Sequence, residues 1–299
     1  LIATASALAA PAIITRAAAN LRGSPPVAIP AAAAQWGYTK LVAFDPMTSL
    51  STIDLNDTGA SGFQWYLHNT WPQCAQISGW QNSPGPQSSS SFTLSSGQIS
   101  LLGDNSWDAQ QLSTIRTDGG SGYVGTAIQG GFYAEISYSF TKGSAGPPGI
   151  PGGSSWWPAF WAVTTEFVTG GSGPSVQHNI EFDAMEYYGS HLSGSFHDQT
   201  FQSGINTGDT NVVNDLSSVM AGSSGATGWN SYGMRLVTSN LNHGTGLADW
   251  FFNGVNTAST SYSAGGNYSL ADTYHFFFML NAYVASALQA KNFSLWQRP

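Results

Sequence analysis

The sequence predicts an all-β fold of sandwich or jelly-roll type. Three observations carry this. Short apolar runs with two-residue alternation recur along the chain. Glycine and proline turns separate them, with 35 Gly and 14 Pro in 299 residues. After residue 20 no segment shows a 3.6-residue period of helical length. A chain of this length accommodates one large β domain.

Taken in order, residues 1–19 are apolar and Ala-rich, and they end in Ala17-Ala18-Ala19, an A-x-A type of cleavage pattern. They read as the remnant of a secretory signal, which predicts a secreted or periplasmic protein. The run is too short and too interrupted to cross a bilayer, so no membrane span is expected in the mature chain. Residues 20–35, with Pro25-Pro26, Pro30 and Ala31 to Ala34, read as a linker or arm. From Trp36 onward no shift in composition marks a second domain, so 36–299 is expected to be a single domain. Its expected strands cover 41–44, 92–94, 98–102, 132–140, 157–163, 179–186, 232–237, 248–252 and 274–283. The run from Phe132 alternates most clearly, placing Phe132, Ala134, Ile136, Tyr138 and Phe140 on one face.

Charged residues make up 8% of the chain, against roughly 25% in an average domain. Aromatic residues make up 13%, including 11 Trp. A neutral, aromatic-rich surface suits uncharged polyhydroxylated ligands, where rings stack on sugar faces and Asn, Asp and Glu bond hydroxyls. The net charge is −8, and the 8 Lys and Arg do not cluster. That balance argues against nucleic acid and disfavours an anionic membrane surface as partners. The single cysteine, Cys74, excludes a disulfide framework and a Cys-rich metal site.

Chemistry concentrates at Glu181, Asp183 and Glu186, in the run Ile180-Glu181-Phe182-Asp183-Ala184-Met185-Glu186. With 16 acidic residues in 299, a six-residue window holds roughly 0.3 of them by chance. Like charges in an apolar strand repel, so a function is the natural reason for keeping them. Glu181 and Asp183 are two apart and share a strand face, with Ile180, Phe182 and Ala184 toward the core. Glu186 is five from Glu181 and falls on the wrong face unless a β-bulge inserts one residue after Asp183. With the bulge, three carboxylates line one wall. Two glutamates about 5–5.5 Å apart form the retaining glycosidase geometry, one an ionised nucleophile and the other a protonated acid that later serves as base. A calcium site would favour an Asn, Asp and Gly loop instead.

This Glu-x-Asp-x-x-Glu pattern resembles the signature of glycoside hydrolase family 16, the laminarinase-like and agarase-like retaining endo-glycanases. Upstream, Trp157-Pro158-Ala159-Phe160-Trp161 resembles the family strand that places a Trp beneath the sugar at the cleavage point. Downstream, Gly228-Trp229-Asn230-Ser231-Tyr232-Gly233 resembles its Phe-His-x-Tyr-Gly segment, with Asn230 where the family commonly has His. The likeness runs from about Leu41 to Gln297. It implies a jelly roll of two curved antiparallel sheets with a concave substrate cleft, and makes 36–299 the catalytic domain. It implies Glu181 as nucleophile, Glu186 as acid/base and Asp183 as the assisting carboxylate. Trp157, Trp161, His197, Trp229 and Asn230 become the expected substrate contacts. His197 has an equal reading as an ordinary loop residue. No cofactor is required for catalysis; a structural calcium ion fits the resemblance, but no ligands for it stand out.

The function expected is an exported, monomeric, retaining endo-β-glycosidase hydrolysing a neutral polysaccharide, with β-1,3- or mixed-linked glucan first. A galactan-active hydrolase or a transglycosylase would use the same residues. A carbohydrate-binding protein on the same fold, without turnover, is the alternative from another class. No P-loop, dinucleotide fingerprint, nucleophile elbow or metal-spaced His pair is present.

Overall fold

The computed structural model describes residues 27–69, 85–86, 89–102, 110–117, 122–139, 158–169, 177–188, 191–202, 205–216, 228–282 and 287–299. The signal-like segment, Cys74 and Trp157 lie outside the described residues.

Two eight-stranded sheets form a jelly-roll sandwich. The back sheet runs Val255–Ser263, Thr245–Phe252, Asn230–Val237, Phe132–Ser139, Ala287–Gln297, Gln98–Leu102 and Phe92–Ser95, and Lys40–Asp45 also pairs with Ala287–Gln297. The front sheet runs Ile205–Asp215, His191–Gln202, Gln177–Tyr188, Ala159–Thr164, Phe276–Ala282, Gln110–Ser113, Trp65–Tyr66 and Ile53–Asp54. All named pairings are antiparallel except that of Ile53–Asp54 with Trp65–Tyr66. Among the described residues, no helix is long and apolar enough to cross a membrane.

The alternation expected of the run from Phe132 is present over Phe132–Ser139, and Phe140 lies outside the described residues. Phe132, Ala134, Ile136 and Tyr138 enter the core between the sheets, where they meet Phe160, Ala162, Ile180, Phe182, Phe278 and Leu280. Rings interlock there, as where Phe132 meets Phe278 edge-on at 5.1 Å. Such burial is the main stabilising term, about 1.5–3 kcal/mol for each large apolar side chain.

Residues 30–35 dock as an arm on the outer face of the back sheet. Ala31–Ala34 forms a one-turn helix, and Ala32 and Ala33 are buried against Tyr133, Val237, Phe251 and Trp296. Arg235 holds the arm. Its Nη1 donates to Ala32 O at 2.8 Å and to Gln35 Oε1 at 2.9 Å. Its Nε and Nη2 reach Asp249 Oδ2 at 2.8 and 2.7 Å, and its guanidinium lies over the Phe251 ring at 5.0 Å. Both charged groups are buried, and each has the partners that burial demands.

Three long strands were not apparent in the sequence: His191–Gln202, Ile205–Asp215 and Val255–Ser263. Ser, Thr, Asn, Asp and Gly dominate the last two, so apolar alternation gives little signal. Pairing to a core strand orders them instead.

Candidate active site

The carboxylate strand, Gln177–Tyr188, lies between Ala159–Thr164 and His191–Gln202. Its register breaks between Asp183 and Glu186. On the neighbouring strand, Asp183 faces Ser195 and Glu186 faces Ser193, so Ala184 and Met185 together oppose the single residue Gly194. This is the one-residue bulge that the spacing required. Ile180, Phe182, Ala184 and Met185 all pack into the core.

The bulge sorts the outer face of the front sheet into three rows, each carrying one carboxylate. The first row reads Asn281, Ala159, Glu186, Ser193 and Asp215 across the strands. The second reads Met279, Trp161, Asp183, Ser195 and Val213, and the third Phe277, Val163, Glu181, His197 and Asn211. On one side of the carboxylates the rows are apolar except at Asn281, a cluster of Ala159, Trp161, Val163, Phe277 and Met279. On the other they are polar except at Val213. One flank thus offers rings and aliphatic groups, the other hydrogen-bonding groups, which suits the two kinds of surface on a sugar.

Trp161 stands directly opposite Asp183. It is 8% exposed, and its Nε1 donates to Asn281 Oδ1 at 2.9 Å, which fixes the ring. His197 stands opposite Glu181. Its Nε2 is 3.7 Å from Asp183 Oδ2, and its Nδ1 is 3.2 Å from both oxygens of Asp209. Ser195 Oγ donates to Asp183 Oδ2. These residues bring Glu181, Asp183 and His197 together so closely that their ligand-type atoms lie within 4.8 Å of one another.

The electrostatics follow from this crowding. Burial pushes the Glu181 carboxyl well above its ordinary value, and the charges of Asp183, Glu186 and Asp209 push it further. Asp183 is also held well up, first by burial and then by the charge of Glu186, while the Ser195 hydroxyl opposes the rise. The upward pressure therefore falls on the expected nucleophile as well as on Asp183. In such a set the protons belong to the group rather than to one residue.

Trp229 and Asn230 are not brought to this face. Asn230 begins a back-sheet strand opposite Tyr138, and its Oδ1 accepts from Asn253 Nδ2 at 3.0 Å. That strand turns Tyr232 and Met234 into the core. The same two-residue period sends Trp229, with Ser231, to the outer side of the back sheet. There Lys291 Nζ lies 4.0 Å from the centre of the Trp229 ring. The expectation of a substrate contact at these two positions is corrected accordingly. Asp209, Ser195 and Asn281 join the site without having been singled out from the sequence. Two of them lie on the polar strands that apolar alternation did not reveal.

No family model matches the chain, and no curated protein matches it in sequence. Solved structures do match its fold. A laminarinase from Flavobacterium sp. UMI-01 aligns with a TM-score of 0.52 at 14% identity, over 86% of this chain and 100% of that one. A GlcNAcα1-4Gal releasing endo-β-galactosidase from Clostridium perfringens aligns with a TM-score of 0.53 at 12% identity, over 87% of this chain and 62% of that one. The chain therefore shares the jelly-roll fold of a laminarinase and of an endo-β-galactosidase.

Proposed function

We propose that the protein is an exported retaining endo-β-glycanase of the glycoside hydrolase family 16 type. It hydrolyses a neutral polysaccharide, with a β-1,3- or mixed-linked glucan as the first candidate. The observation that carries this reading is the bulge, which sets Glu181, Asp183 and Glu186 in three successive rows beside Trp161.

In this reading the sugar lies over Trp161, and the Glu181 carboxylate attacks its anomeric carbon. Glu186 gives its proton to the departing glycosidic oxygen. A covalent glycosyl ester on Glu181 results, and Glu186, now ionised, takes a proton from water as that water attacks the anomeric carbon and displaces the Glu181 carboxylate. Asp183, holding a shared proton, bonds Glu181 and steadies it. Burial, and after it the charge of their neighbours, raises the Glu181 and Asp183 carboxyls in the resting state. The same negative charge stabilises the positive oxocarbenium character of the transition state, which makes the crowding useful.

Charge supports a neutral substrate. Among the described cations, Arg116 bonds Asp57 at 2.9 Å, Arg235 is locked to Asp249, and Lys291 lies over Trp229 on the far sheet. Lys40 and Arg298 lie at the ends of back-sheet strands, and Arg298 Nε donates to Trp36 O at 2.9 Å. The fold shared with an endo-β-galactosidase supports a second reading, a galactan as the chain that is cut. Export is supported by the apolar, Ala-terminated start of the sequence.

The test is product analysis on a panel of β-glucans and galactans, comparing wild type with Glu181→Gln, with NMR of the first-formed anomer. Oligosaccharides of retained configuration from wild type, absent from the variant, support the proposal. Binding without cleavage would instead mark a carbohydrate-binding protein. Longer products in the presence of acceptor sugars would mark a transglycosylase.

A further inference from the structure

The bulge that aligns the carboxylates has a support on the opposite sheet. Trp250 belongs to Thr245–Phe252 of the back sheet and is fully buried. Its Nε1 crosses the core and donates to the backbone carbonyl of Asp183 at 2.7 Å. The ring meets Phe182 edge-on at 5.1 Å. Gly194, the one residue opposite the bulge, completes the arrangement. A Cβ on it would fall 2.2 Å from Cδ1 and 2.4 Å from Nε1 of Trp250. Gly194 therefore clears space for the indole ring.

A bulge disturbs the ladder beside it, and a buried carbonyl there needs a donor. A buried indole N–H needs an acceptor just as much. Both needs are met by one bond, and only in this register. A one-residue slip would offer the indole a different backbone position and turn Glu186 toward the core.

We infer that Trp250 is a positioning residue for the proposed reaction: from the far sheet it pins the bulge that sets Glu186 on the face of Glu181 and Asp183. The inference rests on the glycanase reading for its kinetic arm only. Trp250→Phe keeps an aromatic ring and deletes the N–H. It should lower kcat by about 10- to 100-fold with KM nearly unchanged, because misplaced reacting groups slow the step without weakening binding. Trp296→Phe is the control, buried on the outer side of the back sheet with its Nε1 making no hydrogen bond among the described residues, and should leave kcat near wild type.

The second arm needs no activity. The chain has four glutamates, so carboxyl-¹³C-labelled glutamate gives four titrating signals. The ionisable groups facing Glu181 are Asp183, Glu186, Asp209 and His197. Loosening the bulge should move the Glu181 titration down toward the ordinary range in Trp250→Phe and leave it in place in Trp296→Phe. Wild-type titration together with wild-type kcat in Trp250→Phe would overturn the inference. A shifted titration in a protein that cleaves no glycan would sink the glycanase reading and leave the positioning role standing. If Trp250→Phe does not fold, site-specific replacement of Trp250 by benzothienylalanine, which keeps the ring shape and lacks the N–H, decides by the same two readouts.

Discussion

His197 holds its Nε2 3.7 Å from Oδ2 of Asp183, and its other ring nitrogen is already occupied by Asp209. Asp209 therefore acts on the cluster twice, through the imidazole and through its own charge. That charge raises both Glu181 and Asp183. Asp209→Asn should move the pH profile of kcat/KM to lower pH on both limbs, since every shared proton then leaves more easily. A profile that stays in place, measured on any cleaved glycan, would show that Asp209 is electrostatically silent.

Glu186→Gln removes the proposed proton donor and leaves the proposed nucleophile. On polysaccharide, kcat should fall about 10²- to 10⁴-fold, the usual contribution of general acid catalysis. On an aryl glycoside with a good leaving group, the first step needs no acid and should be largely spared. Parallel kinetics on the two substrates check this; equal losses on both would reassign the acid.

Asp183→Asn should stabilise the protein while impairing it. The folded-state carboxyls of Asp183 and Glu181 are raised by burial and by their neighbours' charge. The folded protein therefore keeps protons that the unfolded chain releases. Its stability is fullest below the ordinary carboxylate range and declines as pH rises through that range toward the raised folded values. Removing one charge should raise Tm at pH 7 by roughly 2–4 °C, the size of about 1 kcal/mol in a domain of this length. The gain should shrink near pH 4. Thermal melts at the two pH values would refute the idea if the gain were equal at both.

Arg235→Ala should be the most damaging of these changes to the fold. It strands Asp249 in a buried site and frees the arm at Ala32 and Gln35. Breaking a buried pair from one side costs about 3–5 kcal/mol. Denaturant melts give the loss, and proteolysis should cut ahead of Trp36 sooner than in wild type. An arm that stays protected would show that the alanine contacts alone hold it.

The central geometry could be read from residue order, because a two-residue period leaves no way to align Glu181, Asp183 and Glu186 without an extra residue between the last two. The core face of Phe132–Ser139 could be read for the same reason. Asp209 could not, because it lies on a strand of Asn, Asp and Thr that owes its form to pairing with His191–Gln202. Nor could the role of Trp250, whose bond spans 67 positions and two sheets. Trp229 and Asn230 were misplaced because sequence order does not say to which sheet a strand belongs, and that choice decides which side of the molecule a Trp faces.

Ile205–Asp215 is the last strand in the order of the front sheet, beyond His191–Gln202. Such an edge invites a second molecule to add its own strand, and charged side chains are a common defence. Asp209 and Asp215 stand on that edge, where their charge should oppose self-association, and Asp209 also raises the Glu181 and Asp183 carboxyls. A neutral variant at either position should be checked for dimers and aggregates before its kinetics are interpreted, because a copy seated along this edge would also lie beside the carboxylate cluster.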